Sequence, residues 1–445
     1  MKKKLCTLLS GVLALSLGAT LFGCGEGPGG GDEPTVDESG NTIIKIMVHV
    51  AQQSPEGMAY NRITDEFNAS QTAKDNKIRV RVNYNPRSTT GTGYETELGN
   101  MLNQGTLPDI VTFDAPNTWS YAEAGILADV SELISEETQN DFFEISKNTY
   151  EGGLFGLPIQ ESSAGIYYNK AIFRNAGLLG RVENMTADNA WTVAEFEDIC
   201  NSLKGRCDLP VDLQLYKAAD ETATYLLYPF ILAQGGTFLS EDGMTATGYL
   251  NSPFTVAAFQ KIRNWVDSGY TSYDASDVGF YTGKYAMYLS SGWSIPEIRN
   301  KYREQLGDDW GILPYPKGGA NQAASATGSW SFGMTTQCRA TEQAALVLEW
   351  LVSTESSVSI TDATGMIPAR QSAITVKNYT PGSPEFLLYD QLNKTGKTRP
   401  GTIAYPEFSS AFRGIVNDMR NSGNVSSIVS TKTTELQGNL DRYQR

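Results

Sequence analysis

Residues 153–177, GLFGLPIQESSAGIYYNKAIFRNAG, constrain the fold more than any other stretch of this chain. An apolar piece ends at Pro158, six polar or small residues follow from Gln160 to Gly165, and a second apolar piece begins at once. The alternation around Ile166, Tyr167 and Tyr168 suits a strand, and Lys170 to Gly177 suits a helix closed by glycine. A polar turn between two segments that both want burial reads as a crossover between two structural units, its side chains aimed at a shared space.

The N-terminus is a leader. Lys2, Lys3 and Lys4 precede an apolar stretch, Leu8 to Leu17, too short to span a bilayer, and Leu21-Phe22-Gly23-Cys24 has the pattern of a bacterial lipoprotein signal. Residues 1–23 are expected to be removed and Cys24 to carry the lipid. Residues 24–40 are rich in Gly, Pro and acids and read as a flexible tether of about 55 Å when stretched, at about 3.3 Å per residue. The expected location is therefore extracytoplasmic, anchored to a bacterial cell membrane.

The remaining length suits two lobes, each with its own core. The formal charge of −15 falls to −18 once the three leader lysines are lost, which argues against nucleic acid and against a polybasic membrane patch. After the leader and Cys24, three cysteines remain: Cys200, Cys207 and Cys338. Cys200 and Cys207 could close a small loop, but the set is neither a disulfide framework nor a zinc site.

Strands are expected at 41–50, 77–83 and 108–112, with helices at 57–69 and 94–104 between them. This spacing predicts a mainly parallel sheet covered on both faces. Residues 119–134 read as two short helices around a glycine. A second α/β unit starts near Gln160, with helices at 191–203, 225–233 and 252–268 and a strand at 285–289. Pro314-Tyr315-Pro316 and Gly365-Met366-Ile367-Pro368 read as two further crossovers. The expected organisation is one lobe from 41–159 and 318–365, and another from 160–317 and 366–445. Three crossovers suit a cleft that opens and closes.

Short motifs recur in order along the chain: Leu107-Pro108-Asp109-Ile110, Ala122 to Leu127, Trp191-Thr192 with Phe196, Gly283 to Met287 with Gly292-Trp293, Leu313 to Gly318, Gly328-Ser329-Trp330 and Gly365 to Arg370. Together with the Gln160 crossover they resemble the extracellular solute-binding proteins, the maltose-binding-protein-like sugar receptors of ABC importers. The resemblance implies an α/β fold of the two-lobed periplasmic-binding-protein type (type II), with a ligand cleft between hinged lobes. It also implies a monomer without cofactor that binds a mono- or oligosaccharide and delivers it to ABC permease subunits in the membrane.

Sugar recognition gives particular residues a role. A pyranose stacks its C–H faces on aromatic rings and pairs its hydroxyls with polar groups. Trp293, after the Tyr285 strand, matches a stacking position of the family, and Trp330 is a second candidate platform. Trp191 and Trp265 lie on amphipathic helices and read as core. Strand ends and the first crossover supply hydrogen-bonding candidates: Gln52, Gln53, Asp114, Gln160, Glu161 and Ser162. Arg413 reads equally as a cleft residue or as a surface or inter-lobe ion pair; in the cleft it would admit an acidic or phosphorylated sugar.

Other chemistries find little here. The one histidine, His49, sits in the first strand and reads as a packed residue; no Gly-x-Ser-x-Gly elbow accompanies it, and no metal set is expected. Asp274 and Asp277 read as a solvated loop rather than calcium ligands, and residues 279–284 fall one short of a phosphate loop. Two rivals share the aromatic and acidic inventory: an anchored glycoside hydrolase, using Asp114 and Glu161 across the cleft, and a glycan-binding surface lipoprotein with no transport role.

Overall fold

The computed structural model describes residues 34–87, 93–319 and 322–443. The leader, Cys24 and the first part of the tether lie outside the described residues. In chain order the strands are β1 Thr42–Val48, β2 Ile78–Tyr84, β3 Ile110–Asp114, β4 Asn148–Tyr150, β5 Gly153–Pro158, β6 Gln160–Glu161 and β7 Ala164–Asn169. They continue with β8 Leu209–Asp212, β9 Tyr285–Ser291, β10 Trp310–Leu313, β11 Ser325–Ala326, β12 Trp330–Met334, β13 Ile367–Pro368 and β14 Gly396–Lys397.

Two sheets organise the chain. The first has six strands in the order β2-β1-β3-β12-β5-β4, and the second has four in the order β10-β7-β9-β8. β1 runs parallel to β2 and β3, as the spacing of the first helices requires. β12 is antiparallel to both β3 and β5, so the sheet is mixed rather than mainly parallel. The physical reason is topological: β12 enters this sheet from the other side of the molecule, not through a βαβ crossover. In the second sheet β7 is antiparallel to β9 and β10, while β8 and β9 are parallel.

Each sheet buries its own core. Ile44, Ile46 and Leu348 belong to the first, together with Ile63 and Phe67 from the buried face of the helix Pro55–Ala69. Trp191, Phe196, Phe230, Phe259 and Trp265 belong to the second, so both tryptophans fill core as the sequence suggested, although Trp191 precedes the helix Val193–Leu203 rather than lying on it. Helix starts follow local chemistry. Ser54 caps Pro55–Ala69 by accepting from Gly57 N, with proline at the first helical position. Thr192 and Glu195 form a reciprocal capping box at Val193–Leu203. Asp220 caps Glu221–Ala233.

Three sequence expectations are corrected. Residues 126–134 form turns, not a second short helix; only Thr118–Glu123 is α-helical there. Pro314–Pro316 is not a crossover: Tyr315 packs in the second core, its hydroxyl donating to the Leu226 carbonyl at 3.0 Å. The chain passes between the sheets later, at Thr327–Ser329, after β11 has paired with β14. Finally, residues after Pro368 stay tied to first-sheet neighbours for one helix more. Arg370 Nε donates to Asp141 at 2.6 Å and its Nη1 to the Val352 carbonyl at 2.6 Å. The open question of Cys200 and Cys207 resolves to free thiols, as does Cys338.

The first and third crossovers pair directly. β6 and β13 form a two-stranded antiparallel ribbon, Gln160 opposite Pro368 and Glu161 opposite Ile367. Beside it the turn after β9 meets the turn before β13: a Cβ on Gly292 would lie 2.2 Å from the Gly365 carbonyl oxygen. Only backbone fits at that contact, which brings Trp293 and Met366 to the same place.

Candidate ligand cleft

A cavity of about 210 Å³ opens where the two sheets face each other. Its first-lobe wall carries His49, Glu56, Asp114 and Trp330, its back Gln160 and Ser162, and its second-lobe wall Asp220, Glu221, Tyr225, Trp293 and Arg399. Strand register explains the first wall: Asp114 ends β3 and sits opposite Trp330, the first residue of β12. Helix starts supply the acids. Glu56 lies in the first turn of Pro55–Ala69, and Asp220 and Glu221 open Glu221–Ala233. Acidic side chains are favoured at such termini, where the backbone N–H groups carry partial positive charge.

Arg399 is the centre of the electrostatics. Its side chain is 2% exposed. Nη1 and Nη2 donate in parallel to both oxygens of Asp114, at 3.0 and 2.8 Å. Nη1 also donates to Glu221 Oε1 at 2.7 Å, and Nη2 to the Gly328 carbonyl at 3.1 Å. The hydroxyls of Tyr405 and Ser409 donate to Glu221 from behind. Tyr225 lies against the guanidinium, 5.3 Å from its carbon.

Trp330 is stacked face to face on His49, with ring centroids 3.3 Å apart and planes 2° from parallel. Burial, with the charge of Arg87 second, pushes the His49 pKa well below its ordinary value, so the ring is neutral. Trp293 is different. It is 37% exposed and leans on Tyr225 at 5.8 Å, leaving an aromatic surface toward the cavity. Glu56 Oε1 accepts from the Tyr60 hydroxyl at 2.7 Å and Gln160 Nε2 at 3.3 Å. Burial outweighs these bonds and pushes its pKa up to about 7.

Of the sequence candidates, Asp114, Gln160, Ser162, Trp293 and Trp330 line this cavity together. Glu161 does not. Its side chain turns under the crossover, accepting from Ser146 Oγ at 2.7 Å, Ser162 N at 2.6 Å and Gly328 N at 2.7 Å. In an extended ribbon successive side chains point to opposite faces, so Gln160 and Ser162 face the cavity and Glu161 cannot. Gln52 borders a separate polar groove with Asp37, Arg79 and Arg81, and Gln53 is exposed. β1 ends at Val48, so the residue it delivers to the cleft is His49 rather than the glutamines beyond the turn. Arg413 lies off the cavity, donating to the Ala219 carbonyl at 2.7 Å.

Sequence reasoning missed Arg399, Glu221, Tyr225, Asp220 and Glu56. The helix-start signals at Ser54 and Asp220 mark three of the acids as first-turn or capping residues. Nothing local marks Arg399, which sits in an irregular segment after β14. Among the described residues, no group of three His, Cys, Asp or Glu side chains is placed to hold a metal ion.

Two lobes on separate sheets, joined by paired crossovers at the back of a polar and aromatic cavity, define a binding protein of the two-lobed, cleft-forming class. A family model described as bacterial extracellular solute-binding protein matches residues 62–384, and the chain belongs to that family. A binding protein of Brucella abortus is 24% identical over 292 residues, 62% of this chain and 66% of that protein. The chain thus spans just under two thirds of that relative's length. The sn-glycerol-3-phosphate-binding periplasmic protein of Escherichia coli is 26% identical over 263 residues, 57% of this chain and 56% of that one. The cyclic α-maltosyl-1,6-maltose binding protein of Arthrobacter globiformis superposes with a TM-score of 0.73 at 22% identity, over 91% of this chain and all of that one. That likeness establishes the shared fold.

Proposed function

We propose that this protein is a lipid-anchored extracytoplasmic receptor that binds a mono- or oligosaccharide between its lobes and hands it to an ABC permease. The observation that carries the reading is the cavity itself: Trp293 presents a partly exposed ring beside Tyr225, and Gln160, Ser162 and Asp114 bring polar groups to the same space. An apolar face flanked by hydrogen-bonding groups is what a pyranose requires. Family membership supports a solute-binding role, and the leader ending just before Cys24 supports the anchor.

The lobes are proposed as 41–159 with 328–377 and 160–327 with 378–445, which shifts the sequence boundaries at 318 and 366. The pairing of β11 with β14 favours moving residues 318–327 to the second lobe, and the Arg370–Asp141 bond favours keeping residues 366–377 with the first. Contacts from both sides would stabilise the closed form, and the permease would recognise that form.

A hydrolase reading is weaker on the geometry. Arg399 holds both oxygens of Asp114, and Glu161 is enclosed beneath the crossover, so neither carboxyl is free to protonate or attack a glycosidic bond.

A thermal-shift screen of the chain against mono- and oligosaccharides, polyols, sugar phosphates and peptides tests the proposal. A ligand at 100 times its Kd stabilises by about 2.7 kcal/mol. A shift with one glycan class and no breakdown of that glycan supports the receptor. Glycan cleavage would make it an enzyme, and a response only to peptides would end the carbohydrate reading.

A further inference from the structure

The cavity wall is rich in acceptors and poor in donors. Four carboxylates line it, Glu56, Asp114, Asp220 and Glu221, against two guanidiniums, Arg87 and Arg399. Arg87 pairs with Glu95, a fifth carboxylate behind it, at 3.0 Å. Arg399 is fully committed. Each of its terminal nitrogens donates to two protein oxygens, and its Nε, which has no partner among the described residues, is buried from solvent. Four of the lining hydroxyls also donate to the protein: Ser162 to the Gly328 carbonyl at 3.0 Å, Thr222 to Asp220 Oδ1 at 2.5 Å, Thr364 to Gln160 Oε1 at 2.8 Å, and Tyr225 to Ser291 Oγ at 3.4 Å.

Two carboxylate oxygens remain open, one on each lobe. Both hydrogen bonds on Glu56 go to Oε1 and both on Asp220 go to Oδ1, so among the described residues Glu56 Oε2 and Asp220 Oδ2 accept nothing. Two helix N-termini at the cavity that could attract an anion are already capped, Pro55–Ala69 by Ser54 and Glu221–Ala233 by Asp220; the short helix Ser294–Asn300 behind Trp293 has no side-chain cap. An anionic ligand brings only acceptors and would meet these carboxylates with few donors in return. An ammonium brings three donors and no acceptor.

Resting on the reading of this cavity as a sugar site, we propose that its ligand is a sugar carrying a protonated amine, the ammonium drawn to Glu56 and Asp220 from opposite walls. Closure would then bring a carboxylate from each lobe onto one positive charge, which gives the closed form a reason to be favoured by this ligand over a neutral sugar. Burial, which holds Glu56 near 7, opposes its ionised form, and a neighbouring ammonium would offset that cost by favouring the carboxylate.

Isothermal titration of the full chain in detergent at about pH 7 tests this with glucosamine, glucose, N-acetylglucosamine and glucuronate, and with the β-1,4-linked oligomers of the first three. Glucosamine or its oligomers should bind about tenfold tighter than the matching neutral sugars, with affinity falling as salt rises. Glu56→Gln and Asp220→Asn should each narrow that ratio in chains whose melting temperature is unchanged. Equal affinity for glucosamine and glucose would overturn the amine assignment and leave a sugar receptor standing, as would tightest binding of glucuronate. Silence from every sugar would remove the sugar reading, and this inference with it.

Discussion

Arg399 sits on Asp114 as a two-pronged pair, 2.8 and 3.0 Å, joining the end of the third strand in one sheet to a loop packed against the other. The two residues are 285 positions apart in the chain. With the arginine 2% and the aspartate 8% exposed, the pair is shielded from the water that weakens surface ion pairs. Glu221 adds a second carboxylate to the same guanidinium, so one cation holds acids from both walls of the cleft.

Removing that cation should be costly. Arg399→Met would leave Asp114 and Glu221 buried beside each other without a counter-charge, and one broken buried pair typically destabilises by about 3–5 kcal/mol. Urea unfolding followed by tryptophan fluorescence would measure the loss. Adding Asp114→Asn and Glu221→Gln to the same chain should recover a large part of it, since neutral amides need no counter-ion. If the single variant unfolds like the wild type, the pair does not contribute to stability.

The two cleft tryptophans should respond differently. Trp293 is partly exposed, so Trp293→Ala should weaken ligand binding by about 1–3 kcal/mol with little change in melting temperature. Trp330 lies flat on His49 and edge-on to Tyr94, 6.0 Å away, so Trp330→Ala should lower stability by about 1–3 kcal/mol whether or not it touches ligand. Calorimetry on both variants separates the roles. A Trp293 variant that keeps full affinity removes that ring from the site.

Much of this arrangement is legible in the sequence wherever the signal is local. Alternation places the strands, and the strand end at Asp114 and the polar run at Gln160 to Ser162 are visible as breaks in it. Period also accounts for a failure: Glu161 shares the run but not the face. Gln52 and Gln53 mislead because the first strand stops four residues earlier than they begin, at Val48. Arg399 and Tyr225 are illegible for another reason. Their position in the cleft depends on β11 pairing with β14 and on a helix packing against that pair, contacts that no window of residues contains.

Asp212 predicts a pH dependence. It ends β8 with no surface exposed; Oδ1 accepts from Gln214 N at 2.7 Å, and Oδ2 has no partner among the described residues. Burial, only partly opposed by the Gln214 bond and Lys217, pushes its pKa from 3.8 up to about 7. Below about pH 4 the carboxyl is protonated in folded and unfolded chains alike and carries no penalty. As pH rises through 4 to 7 the unfolded chain ionises first, so the fold loses stability, by up to about 4 kcal/mol above pH 7. Asp212→Asn should therefore stabilise the protein at about pH 8, with the gain shrinking toward zero near pH 4. A gain that does not depend on pH would show that ionisation of Asp212 is not its source.

The contact between Gly292 and Gly365 makes the last prediction. A Cβ on Gly292 would approach the Gly365 carbonyl oxygen to 2.2 Å, and one on Gly365 would meet the Gly292 oxygen at 2.4 Å while holding a φ of +73°. Both obstacles are backbone, which cannot rotate away as a side chain can. Gly292→Ala must push the Trp293 turn off the third crossover, at a cost of about 1–3 kcal/mol. Because Trp293 and Met366 follow these glycines and both line the cavity, the displacement should weaken ligand binding as well. Gly99→Ala provides the contrast. It lies inside the helix Gly93–Gln104 with nothing near its Cβ position, and alanine there should stabilise by about 0.5–1 kcal/mol without altering affinity. Paired melting and titration curves for the two variants would test whether the turn and crossover are coupled: loss of stability without loss of affinity at Gly292 would mean that the cavity tolerates the displaced turn.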